Sequence, residues 1–194
     1  MRTLTVRCTA ACALAVALAL PSRDARAADV SFVLAAAASR STWRSDYAGG
    51  AQARAAVRFA NVVALDVVTW EQLARVDRRV NTGLTLGVTG FLPMDGVRPF
   101  LRLFAIHQHE EAWVSIQDHP FGTVFGIGSG IRHRAGGGST LGVEIPLGAP
   151  AAMSFYVPVG ATVVWFPDAT LGPSAYVGVH GGLGVTFDLA GGAR

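Results

Sequence analysis

The chain has 194 residues, no lysine, and only 15 % charged against 51 % apolar residues. Its formal surplus of +3 arises in the first 27 residues, where Arg2, Arg7, Arg23, Arg26 and Asp24 lie; beyond them twelve arginines face twelve carboxylates. A balanced chain of this kind speaks against nucleic acid as a partner. The lack of cysteine after Cys12 excludes a disulfide, a thiolate nucleophile or a Cys-ligated metal in the processed protein.

Residues 1–27 read as a secretory signal peptide. MRTLTVR is a basic start, CTAACALAVALALP is an apolar run of about 14 residues, and Ala25-Arg26-Ala27 is an A-x-A cleavage site. The run is shorter than the roughly 20 residues that a spanning helix needs. Cys8 and Cys12 precede most of it, which argues against a lipid anchor. The expected layout is a leader over 1–27, a β-domain over 28–188 and a tail over 189–194.

Strand-like runs then follow in order near 30–39, 50–59, 62–72, 82–92, 97–108, 122–134, 139–147, 153–165 and 174–187, separated by turn signals. No stretch past the leader comes near 18 uninterrupted apolar residues, so no spanning helix is expected. High apolar content in short strands leaves two architectures. One is a soluble β-protein with a large core. The other is a closed barrel with its apolar face toward lipid.

Period-2 alternation separates them. In 82–92, Leu84, Leu86, Val88 and Leu92 oppose Thr85, Gly87, Thr89 and Phe91. In 139–147, Leu141, Val143, Ile145 and Leu147 oppose Gly142, Glu144 and Pro146; in 153–165, Phe155, Val157, Val159, Val163 and Trp165 oppose Tyr156, Pro158, Gly160 and Thr162. In 174–187, Val177, Val179, Leu183, Val185 and Phe187 oppose Tyr176, His180, Gly182 and Gly184. A soluble sandwich would show water a Lys- and Glu-rich face. Here the second face is rich in Gly, Thr and Ser, which suits the crowded interior of a narrow barrel. The fold expected is all-β: an antiparallel up-and-down transmembrane β-barrel. A secreted soluble lipocalin-like barrel, the alternative, would place the Val/Leu face inside.

Ala60-Asn61, Pro93–Gly96 and Ala135–Gly138 read as short turns, and 40–49, 73–81 and 109–121 as longer polar connections. Phe59, Trp70, Phe91, Phe121, Trp165, Phe166 and Phe187 sit near strand ends, where interfacial girdles are expected. Nine runs conflict with the even strand number of single-chain bacterial barrels. Eight strands result if one run is not a barrel strand, and ten if Trp113-Val114-Ser115-Ile116 adds one.

The final run carries a family feature. His180, Gly182, Val185 and Phe187 have the spacing of the C-terminal assembly signal of bacterial outer-membrane barrels: a polar residue, a glycine two on, then two apolar residues at the fifth and seventh positions. The chain resembles the small OmpA/OmpX-like outer-membrane barrels of Gram-negative bacteria, although seven residues follow Phe187 where such chains usually end. The resemblance implies outer-membrane lipid and the barrel assembly machinery as partners.

Three constellations carry candidate chemistry. Alternation points Arg54, Arg58, Arg98, Arg102, Arg132 and Arg134 inward with Asp66 and Glu144. Such charges form either a small anion-selective path or a salt-bridged plug. The plug is the preferred reading, because eight-stranded barrels are usually filled by side chains. Six cations over two anions demand further compensation. Second, His107, His109 and Glu111 share one strand face and are the one metal-ligating candidate; a strand end meeting a loop also gathers polar residues, and no cofactor is assigned. Third, some barrels of this kind are lipid-modifying acyl hydrolases using Ser and His. The five histidines and Ser115, Ser129, Ser139, Ser154 and Ser174 show no G-x-S-x-G elbow. The function expected is therefore an outer-membrane barrel with a structural or interaction role and no catalytic residues.

Overall fold

The computed structural model describes residues 28–42, 46–92, 94–118, 122, 125–128, 130–148 and 152–189. The leader, most of the tail, Phe121, His119 and Ser129 lie outside them.

Alternation along the chain becomes the outside and the inside of a barrel. Eight strands run β1 (Ala28–Ser41), β2 (Tyr47–Phe59), β3 (Val63–Ala74), β4 (Arg79–Phe91), β5 (Arg98–Ala112), β6 (Arg132–Leu147), β7 (Met153–Trp165) and β8 (Ala175–Asp188). Each pairs antiparallel with its sequence neighbours, and β1 pairs with β8 to close the ring. Closure leaves no sheet edge to be satisfied by solvent. At 12–16 residues, the strands exceed the 9–11 or so that cross a bilayer.

One end carries both termini of the sheet and the tight connections. At the first, Ala60 and Asn61 both adopt positive φ (49° and 58°) and Val62 N–H donates to the Phe59 carbonyl. This left-handed pair matches the twist of the flanking strands. The opposite end carries longer segments. There the Asp46 carboxylate accepts the backbone N–H groups of Val76 and Asp77 at 2.7 and 2.8 Å, tying the β1–β2 connection to the β3–β4 turn.

The second half corrects three expectations. Ala135–Gly138 is not a turn but lies within β6, which runs on to Leu147 before β7 begins at Met153. The runs 122–134 and 139–147 are therefore not two strands. Only Arg132 onward pairs with β5, which settles the strand number at eight. Trp113–Asp118 forms a short helix, α1, so the segment that would have added a strand to give ten is not one. Glycines 136–138 looked like a turn because they carry no side chains. Their role is steric: a Cβ on Gly138 would lie 2.5 Å from the Phe104 ring.

That contact is one of a set. Inward aromatics lie over glycines directly opposite on the next strand: Trp70 over Gly83, Phe100 over Gly142, Phe104 over Gly138 and Tyr156 over Gly184. Each added Cβ would come within 2.3–2.5 Å of the ring. Covering a glycine with a cross-strand aromatic packs a lumen too narrow for two large side chains in one row, and removes the strand weakness of glycine. It also explains why Trp70, Phe91 and Phe166 are not girdle residues. Phe91 and Phe166 are buried, and Trp70 packs inside against Phe104 at 6.5 Å between centroids. The outward rings are Phe32, Phe59, Phe155 and Phe187 toward the tight-turn end and Tyr47 and Trp165 toward the other. Between them the outer wall is aliphatic: Leu34 is 72 % exposed, Leu86 66 %, Leu141 67 % and Val179 60 %. The Val/Leu face is thus on the outside, the reverse of a soluble ligand-binding barrel.

Candidate functional site in the barrel lumen

The lumen is polar at two levels. The lower level, nearer the tight turns, is built on Asp66 of β3 and Glu144 of β6, whose side chains are fully buried. Arg102 Nε donates to Asp66 Oδ1 at 2.6 Å, and Arg54 Nη2 donates to Asp66 Oδ2 at 3.0 Å. Thr89 Oγ1 also donates to Asp66 Oδ2, and Arg102 Nη2 reaches Thr85 Oγ1 at 2.6 Å. Glu144 Oε2 accepts from Arg58 Nη2 at 2.8 Å and lies 3.3 Å from Arg98 Nη2. Arg54 Nη1 reaches Glu144 Oε1 at 3.5 Å, so one guanidinium joins both carboxylates. Here four arginines meet two carboxylates. Part of the excess charge rests on ring faces: Arg58 lies 4.3 Å from the centroid of Phe91 and Arg102 4.5 Å from that of Phe104, contacts that gain strength when desolvated.

Arg132 and Arg134 do not join this set. Both are near the long-loop end of β6, where they meet carboxylates outside the expected cluster. Arg134 Nη1 donates to Glu110 Oε1 at 2.8 Å, and Arg132 Nη1 lies 3.5 Å from Glu110 Oε2 and 3.1 Å from Asp77 Oδ2. Gln108 Nε2 and Tyr176 Oη also donate to Glu110 Oε1, at 2.9 and 3.2 Å. Arg79 completes the level through Asp77 at 3.4 Å and the Glu110 carbonyl at 3.0 Å. Arg134 Nη2 donates to the carbonyls of Asp168 and Pro173, fastening the 166–174 loop over the lumen. In that exposed loop Thr170 donates its N–H and hydroxyl to Asp168, which holds the carboxyl below the ordinary aspartate range.

Glu110 and Asp77 thus supply much of the missing compensation. Glu110 was legible in principle, since alternation from Arg102 through Phe104, Ile106 and Gln108 puts it inside. Asp77 was not, because it sits in a turn where alternation has ended. Between the levels lies a cavity of about 70 Å³, bounded by Arg54 and Arg102 on one side and Gln108 and Tyr176 on the other. Its lining sets Arg54, Arg102, Gln108 and His180 among apolar side chains such as Val33, Val68 and Val164, and it is large enough for water. The side chains of Asp66 and Glu144, in the lower level, have no solvent exposure.

The C-terminal constellation lies on β8. His180 lines the cavity, and Gly182 faces inward so closely to β1 that a Cβ would lie 2.1 Å from the Leu34 carbonyl oxygen. Phe187 faces outward, 6.4 Å from the Phe32 ring across the β1–β8 seam; Val185 shares its side of the strand and pairs with Phe32 and Phe155. His107 and His109 project from β5 on the outer wall. Their neighbour there is His133 of β6, directly opposite His109.

No family model and no curated protein matches the sequence. Solved structures do. Neisserial surface protein A (NspA) is similar at a TM-score of 0.56 with 13 % identity, over 84 % of this chain and 97 % of that one. The N-terminal β-barrel domain of Pseudomonas aeruginosa OprF follows at 0.49 and 14 %, over 81 % and 97 %. The outer membrane protein OprG of Pseudomonas aeruginosa gives 0.47 and 13 %, over 84 % and 97 %. At such identity the likeness to the Neisserial protein is one of fold: this chain has the closed eight-stranded fold of a small outer-membrane β-barrel.

Proposed function

We propose that this protein is an integral outer-membrane barrel with a structural or interaction role, exported with its leader cleaved after Ala27, and that its lumen is closed by arginine–carboxylate pairs. One observation carries the reading: an exposed aliphatic wall, bordered at each end by aromatic side chains, surrounds an interior of buried ion pairs. Water solvates neither surface well, whereas lipid suits the first and mutual pairing the second. His180, Gly182, Val185 and Phe187 would be read by the assembly machinery during insertion. The Val/Leu wall suits a lipid solvent, and the full burial of the Asp66 and Glu144 side chains supports a plug over a pore.

The test is refolding with and without detergent, beside fractionation of cells expressing the full chain. The exported protein should start at Ala28, enter the outer-membrane fraction, and acquire heat-modifiable gel mobility only when detergent or lipid is present. A monomer that refolds in plain buffer would overturn the membrane reading.

A further inference from the structure

Three imidazoles meet on the outer wall in a place that the lumenal role does not use. His107 and His109 stand two residues apart on β5, and His133 is the cross-strand partner of His109 on β6. Alternation puts the first two on one side of the strand, and register brings the third beside them. Ring centroids are 4.7 Å apart for His107 and His109, 4.7 Å for His109 and His133, and 5.7 Å for His107 and His133. One ring nitrogen of each lies within 4.8 Å of those of the other two. Nitrogens on a tetrahedral ion, with metal–nitrogen bonds of about 2.0–2.1 Å, are roughly 3.3 Å apart. Small side-chain rotations close that difference.

Further observations point to a ligand. His109 Nδ1 is buried and has no hydrogen-bond partner among the described residues, an arrangement that costs free energy unless the nitrogen is used. Glu111, next on the same side of β5, is buried with Oε2 likewise unpartnered. Gly126, at φ +67°, packs onto the imidazole so closely that a Cβ would lie 2.3 Å from the His109 ring. Gly126 thus covers one side of the His109 ring. His133 lies four residues toward the loops from Gly137, the partner of the girdle residue Trp165. At about 3.3 Å per residue along a strand tilted by about 45°, that raises His133 roughly 9 Å above the girdle along the barrel axis, toward the loops.

We propose that His107, His109 and His133 form a binding site for a divalent transition-metal ion, with zinc the best fit. Neutral imidazole is a ligand of borderline ions such as Zn²⁺, and three protein nitrogens leave a fourth position for Glu111 or water. The calcium and magnesium class is disfavoured, because it demands oxygen donors. The sequence showed two of the three ligands; the third is 24 residues past His109 and is supplied only by the β5–β6 register.

The experiment is calorimetric titration of Zn²⁺ into the exported protein, purified in detergent without an affinity tag and stripped with chelator. Co²⁺ provides a second readout through its visible ligand-field bands. Wild type should bind one equivalent of Zn²⁺ and give a tetrahedral or five-coordinate Co²⁺ spectrum. His109→Ala and His133→Ala, checked for barrel mobility on gels, should weaken Zn²⁺ binding more than about 100-fold, beyond the loss typical of a residue that only supports a ligand. Gln52→Ala, in the lumen, should leave it unchanged. Absence of saturable one-to-one binding by wild type overturns the proposal whatever the variants do. So does a folded His133→Ala barrel that binds Zn²⁺ like wild type.

Discussion

Glu144 is the side chain on which the lower lumen depends most. It is fully buried and meets Arg54, Arg58 and Arg98 at 3.5, 2.8 and 3.3 Å. Replacing it with alanine leaves three guanidinium groups in a confined space, of which Arg54 keeps its pair with Asp66. Loss of one partner from a buried pair costs about 3–5 kcal/mol, because the remaining charge stays desolvated. Glu144→Ala should therefore lower the urea midpoint of unfolding in detergent by that equivalent. Arg132→Ala should cost much less, since its side chain is 24 % exposed and its partner Glu110 retains Arg134. Equal effects for the two variants would mean that burial does not set the value of these pairs. Arginine suits the role better than lysine would, since its planar fork can join two carboxylates and also lie on a ring.

At the scale of the element, each strand is defined by which side meets lipid. Val179 and His180 are neighbours on β8, yet Val179 is 60 % exposed on the aliphatic wall whereas His180 borders the inner cavity. Val179 lies two residues from the middle of the stretch between Ala175, paired with Trp165, and Phe187. An arginine there should cost about 2–4 kcal/mol in lipid, the value for a charge near the midplane. His180→Ala should cost well under 1 kcal/mol, because its side chain makes no hydrogen bond to the buried network among the described residues. Unfolding of both variants in lipid, followed by gel mobility without heating, measures the contrast. Tolerance of Val179→Arg beside a severe His180→Ala would invert the faces, since a one-residue slip exchanges them all.

For the whole molecule the question is whether anything passes through. Ion pairs cross the lumen at Asp66 and Glu144 and again at Glu110, and the 166–174 loop is fastened to Arg134; under the proposed function these levels close the barrel. Wild-type barrels in planar bilayers should show negligible conductance. Opening one level is expected to be insufficient: Glu110→Ala should conduct no better than wild type, because the Asp66–Glu144 level stays intact. A stable anion-selective conductance in wild type would refute closure and favour the pore.

Alternation by itself determined the fold class, because a period of two with apolar residues on one side and Gly, Thr and isolated charges on the other is local information carried by each strand. It also pointed all six arginines, Asp66 and Glu144 to the same side of their strands. Local pattern could not count the strands, since a glycine triplet at 136–138 reads as a turn unless Phe104 on the facing strand is known to occupy the space. Nor could it pair the charges. Arg132 and Arg134 belong with Glu110 and Asp77 because β6 runs 16 residues from one end of the barrel to the other, placing them far from Glu144 on the same strand. The histidine cluster divides the same way: spacing along β5 gave His107 and His109, while His133 became their neighbour only through hydrogen-bonded register. Which side chains meet across strands is a property of closure, decided by the tertiary structure alone.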